Sequence, residues 1–75
     1  MKSVTVFLKE INDVKQFVQI TAKCEYDVDI VSGRYIIDAK SIMGIFSIDI
    51  SKPITVNIHS DNADAYLDEI KRFIV

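Results

Sequence analysis

The chain predicts an α+β fold, an open-faced β-sandwich of order βαββαβα in which a four-stranded antiparallel sheet carries three helices on one face. Three observations lead there. Tyr26, Val28 and Ile30 alternate with Asp27 and Asp29, and Ile54, Val56 and Ile58 alternate with Thr55, Asn57 and His59. Strands of period two with only one apolar side need covering on that side alone. Ile11, Val14, Phe17, Val18 and Ala22 instead recur at three and four, as one stripe of an amphipathic helix does. The third observation is a further helical pattern after the last strand, running through Leu67, Ile70, Phe73 and Ile74. Without that last helix, the first six elements fit a ferredoxin-like arrangement equally well.

In chain order, Ser3 to Leu8 is a β-rich run that includes Val4 and Phe7, and reads as the first strand. Lys9 to Asp13 connects it to a helix that starts near Ile11, with Asn12 or Asp13 as cap, and ends near Cys24. Tyr26 to Ile30 is the second strand, Ser32-Gly33 a turn, and Tyr35 to Asp38 a short strand returning antiparallel. Lys40-Ser41 opens a short second helix that ends by about Ile50, before Lys52-Pro53 breaks the chain. Ile54 to His59 is the fourth strand. Asp61 then caps the last helix, with Asp64 in its first turn.

Residues 1–75 read as a single domain, long enough for one modest core. A composition 49% hydrophobic and 27% charged belongs to a globular chain. The net charge of −2 is mild and the nine basic residues are scattered, so no nucleic-acid footprint follows. No apolar run is long enough for a signal segment or a membrane span, and a soluble cytoplasmic protein is expected. Cys24 stands alone and reads as a small helix residue, outside any disulfide or zinc pattern. Gly33 and Gly44, the only glycines, build no phosphate loop. Asp27 and Asp29 read as the wet side of a strand, and His59, the one histidine, as a solvated residue on that side. Neither a metal nor a cofactor is expected, and no catalytic pair suggests itself.

The stretch with most to say is Lys40-Ser41-Ile42-Met43-Gly44-Ile45-Phe46. Ser41 is a good N-cap, because its oxygen can accept a bond from an orphan N–H of the following turn. The run after it holds more large apolar side chains than one face of a short helix can bury. Ile45 and Ile48 are expected in the core. Ile42, Met43 and Phe46 are expected to stay partly exposed, as a surface for a partner.

Lys40 to Ile48 resembles the signature around the regulatory serine of HPr, the small phosphocarrier of the bacterial sugar phosphotransferase system. The stretch from Val18-Gln19 to Asp29 is similar to the second half of the family's first helix and its second strand, and Ile54 to Phe73 to its last strand and helix. The resemblance implies an HPr-like fold and a non-catalytic, cytoplasmic regulatory or adaptor protein. Its partners would be proteins, a serine kinase and a carbon-control regulator among them. Ser41 would be the phosphorylation site, with Lys40, Ile42, Met43 and Phe46 around it for docking, and the chain a monomer or weak homodimer.

The same resemblance places the family's phosphate-carrying histidine at Glu10 and its arginine at Asn12. Carrier chemistry needs an imidazole nitrogen to accept the phosphoryl group, and N–H groups with a guanidinium to hold its oxygens. Lys9 to Val14 contains neither residue, and Glu10 and Asp13 would repel a phosphoryl group. A branch of the family, the catabolite-repression HPr, is similar in lacking the histidine and keeping the serine. Two alternatives stand beside this reading: phosphotransfer through an unconventional acceptor, and a degenerate HPr-like interaction module with Ser41 unmodified.

Overall fold

The computed structural model describes residues 1–75. Its order is β1 (Lys2–Val6), α1 (Ile11–Thr21), β2 (Val28–Ser32), β3 (Tyr35–Asp38), α2 (Ile42–Phe46), β4 (Ile54–Ile58) and α3 (Asp64–Ile70), closed by a 3-10 turn at Lys71–Phe73. The strands lie in the order β1-β4-β2-β3, antiparallel throughout. The β1–β4 register sets Val4 against Val56 and Val6 against Ile54, and the β2–β4 register sets Ile30 against Val56. One parity of every strand therefore faces the helices. The other parity runs as rows across the open face, Thr5–Thr55–Val31–Ile36 and Ser3–Asn57–Asp29–Asp38.

The core lies between sheet and helices and draws on every strand and helix except β3, which lends the half-buried Ile37. Val14 and Phe17 of α1, Ile45 of α2, and Tyr66, Ile70 and Phe73 near the C-terminus are buried against Val6, Val28, Ile30, Ile54, Val56 and Ile58. Phe17 meets Phe73 edge to face with centroids 6.1 Å apart, and Tyr26 meets Tyr66 in the same way at 6.4 Å. Thr21 is the one buried polar residue. Its hydroxyl donates to the Phe17 carbonyl at 2.7 Å and lies 2.7 Å from the Tyr66 hydroxyl. With Thr21's single proton spent on Phe17, Tyr66 is the donor of the second bond.

The termini of several elements differ from the sequence reading. β1 ends at Val6, because Phe7 turns to bond its N–H to the Phe73 carbonyl. α1 is preceded by Glu10 in extended conformation and has no side-chain N-cap. Asn12 and Asp13 lie inside the first turn, where the Asp13 carboxylate reaches back to the Lys9 N–H at 3.1 Å. Ile11 is 62% exposed and not on the buried stripe, since a side chain at the first helical position has no preceding turn to cover. Cys24 is half-buried just beyond the helix. β2 starts at Val28, so Tyr26 is a loop residue packed against the core. α2 stops at Phe46, four residues early, where Ser47 donates to the Gly44 carbonyl. The cap of α3 is Ala63, and the exposed Asp61 bonds instead to the chain's N-terminal ammonium at 3.1 Å.

Candidate functional site

Ser41 caps α2 as its neighbours demand. Its backbone is extended (φ −100°, ψ 106°) and its Oγ accepts the Gly44 N–H at 3.1 Å. Glycine at position 44 eases this approach: a Cβ there would sit 3.2 Å from Ser41 Oγ and 3.4 Å from its Cβ, tight enough that the serine would have to shift. The preceding turn is tied down as well. Asp38 accepts the Ser41 N–H on its carbonyl at 3.0 Å and the Lys40 N–H on its carboxylate at 2.9 Å. Lys40's ammonium is held 2.9 Å from the Cys24 carbonyl. Lys40 thus ties the α1–β2 loop to the foot of α2, and its charge is engaged at Cys24.

Beyond the cap, Ile45 is fully buried, Ile48 and Ile42 are half-buried against the core, and Met43 and Phe46 are 76% and 41% exposed. Of the three apolar residues expected at the surface, Ile42 is the most involved in packing. The two large side chains that α2 presents to water are Met43 and Phe46. α1 packs beside α2, and Ile11 at its start is a further exposed apolar side chain that the helical pattern had hidden.

The start of α1 is acidic. Glu10 is the exposed residue before the helix and Asp13 already bonds a backbone N–H there. His59 follows β4 on the parity of Thr55 and Asn57, on the open side of the sheet away from the helices. It is not simply solvated: Nε2 lies 2.7 Å from the Asp29 carboxylate, with its backbone N–H on the Asp27 carbonyl. No group of three or more histidine, cysteine and carboxylate side chains lies together in metal-binding range. No helix is long and apolar enough to cross a membrane. A cavity of about 590 Å³ opens elsewhere, between the β2–β3 turn and residues 47–53, lined by Arg34 and Lys52 but also by Asp49. The Asp49 carboxylate is held below its usual range by bonds from the Ser51 hydroxyl and N–H.

No curated protein sequence matches the chain significantly. Among solved structures, it is similar to phosphocarrier protein HPr from Bacillus anthracis str. Ames, at 29% identity and TM-score 0.73 over 99% of this chain and 94% of that one. HPr-C-His from Thermoanaerobacter tengcongensis matches at TM-score 0.79 and 24% identity, over 96% and 89% of the two chains. A histidine-containing phosphocarrier protein from a mycoplasma matches at TM-score 0.75 and 17% identity, over 95% and 89%. Residues 11–75 match the family model PTS-HPr, described as the PTS HPr component phosphorylation site. With that match running through α1, the serine-capped α2 and the last strand and helix, the chain belongs to the HPr family.

Proposed function

We propose that this chain is a non-catalytic regulatory member of the HPr family, a single docking module that meets protein partners through α2 and is switched by phosphorylation of Ser41. The observation that carries the reading is the pairing, on one five-residue helix, of a hydroxyl at its cap with Met43 and Phe46 exposed beside it. A phosphoserine brings a charge near −2. Beside Met43 and Phe46 that charge turns an apolar surface into a mixed one, which favours a partner offering Arg or Lys and rejects one that would bury the surface dry. Catabolite-repression HPr would be a functional relative.

Phosphate transfer through α1 does not fit these residues. Where the family carries histidine and arginine, this chain has Glu10 and Asn12, and the first turn already holds the Asp13 carboxylate. Two carboxylates at a helix start oppose an incoming phosphoryl group. His59 lies beyond the sheet from that point and is paired with Asp29. Incubation with phosphorylated enzyme I of the sugar system should leave no acid-labile label. Rapid labelling lost in His59→Ala would overturn this part of the reading.

The regulatory part is tested by mass spectrometry of the protein from its own host, followed by partner binding with Ser41 protein, its phosphorylated form and Ser41→Ala. One partner should bind the phosphoform more tightly and another less. Equal affinities in all three would return Ser41 to the role of a cap.

A further inference from the structure

The two edges of the sheet are treated differently. The outer edge of β1 is covered by the C-terminal segment: Phe7 N–H bonds to the Phe73 carbonyl at 2.8 Å, Val75 N–H to the Thr5 carbonyl at 3.1 Å, and Val6 bridges Ile74. β3 has no such cover. Its pairing with β2 tells which of its groups point outward. Ala39 donates to the Val28 carbonyl at 2.9 Å, and narrow and wide pairs alternate from there along the ladder. Residues 39, 37 and 35 therefore bond inward, and the N–H and C=O groups of Ile36 point away from the sheet. Asp38's carbonyl is taken by Ser41, which leaves its N–H outward. Tyr35 and Ile36, on this strand, are 67% and 70% exposed.

We propose that β3 is a self-association edge: two copies of the chain pair antiparallel along it, about a twofold axis at Ile36, into a continuous eight-stranded sheet. The residues select that register. Pairing Ile36 with Ile36 of the second copy places Tyr35 opposite Ile37 and Arg34 opposite Asp38, on both sides of the axis. The first two pairs are favourable across antiparallel strands, β-branched with β-branched and aromatic with β-branched, while Arg34, in the β2–β3 turn just before the strand, brings a cation to the end where the second copy's Asp38 carboxylate lies. The Arg34 and Asp38 side chains make no ion pair within the single chain. On the open face, the row Thr5–Thr55–Val31–Ile36 would continue into Ile36 and Val31 of the second copy, so that the one apolar part of a polar face becomes central. The next register in which the outward groups still meet, centred on Ile37, sets Asp38 against Ile36 and Arg34 against Lys40. It loses both charge pairs and adds a repulsion.

A four-residue strand makes a small interface, below the roughly 1,200 Å² of standard complexes, so the association is weak and concentration-dependent. It involves neither Ser41 nor the exposed side chains of α2, and stands or falls apart from the docking proposal. The test is sedimentation equilibrium up to about 1 mM chain, the limit at which so weak a pair is still populated. Dimer is expected for the natural chain. Arg34→Glu and Asp38→Lys should each weaken it by about tenfold, since each sets like charges opposite one another twice. An equimolar mixture should recover it, because in the mixed pair both contacts are again of opposite sign. Ile36→Lys, at an exposed position, should abolish it with no change in melting temperature. Because Asp38 also bonds the Lys40 N–H, mixed-label NMR of the natural chain serves as an independent measurement, with Ile36-to-Ile36 contacts between copies expected. A natural chain that stays monomeric, a mixture no better than its components, or a dimer without those contacts would overturn the proposal.

Discussion

Ser41 and Gly44 are coupled, since a side chain at residue 44 would crowd the serine oxygen that accepts its N–H. Removing the oxygen leaves an orphan donor at the helix start, and Ser41→Ala should cost about 0.5–2 kcal/mol of stability in urea unfolding. Gly44→Ala meets two opposing effects. Alanine is the better helix former by roughly 1 kcal/mol, but its methyl group would press on Ser41 Oγ at 3.2 Å. In the Ser41→Ala background the oxygen is gone and only the favourable effect remains. Gly44→Ala should therefore be more stabilising, or less destabilising, there than in the natural chain, and a double-mutant cycle of urea midpoints measures the difference. Additive effects would show that the close approach has no energetic consequence.

At the scale of elements, α2 and α1 use opposite means to stay in place. α2 is a five-residue helix, too short to hold by itself. Its anchor is Ile45, fully buried, while Met43 and Phe46 face water. Met43→Asp and Phe46→Asp should therefore change melting temperature little yet weaken any α2-directed partner, whereas Ile45→Asp should unfold the domain by leaving a charge unpaired in the core. A large stability loss in both surface variants would remove the basis for docking there. α1 is tied to α3 through the relay from the Tyr66 hydroxyl to Thr21 Oγ1 and on to the Phe17 carbonyl. Thr21→Val keeps the shape and strands the Tyr66 donor, at an expected cost of about 1–3 kcal/mol. Chemical denaturation of Thr21→Val, Tyr66→Phe and the double variant checks this, with the double variant less unstable than the sum.

For the molecule as a whole, the core is a single cluster between one sheet face and the helices, and a chain of this size has little stability in reserve. Phe17, edge-on to Phe73, is the largest fully buried side chain in it. Phe17→Ala should cost about 3–5 kcal/mol, enough to leave a substantial unfolded fraction at room temperature, visible as lost amide dispersion. Alkali should act on the same core. Burial pushes the Tyr66 phenol up, and desolvation together with the Cys24 thiol pushes Tyr26 up to about 12. A raised value in the folded state means that the unfolded chain releases these protons first. The stabilisation is thus complete below about pH 10, the ordinary tyrosine value, and is lost as pH rises through about 12. Urea midpoints should hold steady up to about pH 10 and fall above it, with Tyr66 alone contributing a slope of up to about 1.4 kcal/mol per pH unit. Tyr66→Phe should flatten the fall, and an unchanged profile would exclude Tyr66 as its source.

What the chain determined by itself is whatever depends on period and local chemistry. Alternation in residues 54–58, the three-and-four spacing of Val14 and Phe17, and the cap at Ser41 each follow from neighbours a few positions apart, and all three stand in the structure. The absence of histidine from Lys9 to Val14 is likewise a matter of composition. Tertiary structure decided the rest, through contacts between residues far apart in the chain. Ile11 is apolar and on pattern, but no element covers the helix end where it sits. Thr21 is polar and buried because Tyr66, 45 residues on, supplies its partner. His59 has its Asp29 only because β2 and β4 are neighbours, and Lys40 has its Cys24 carbonyl only because α2 packs beside α1. Which sheet edge is sealed and which is left open depends on where Phe73 to Val75 come to rest, a long-range pairing that no local pattern carries.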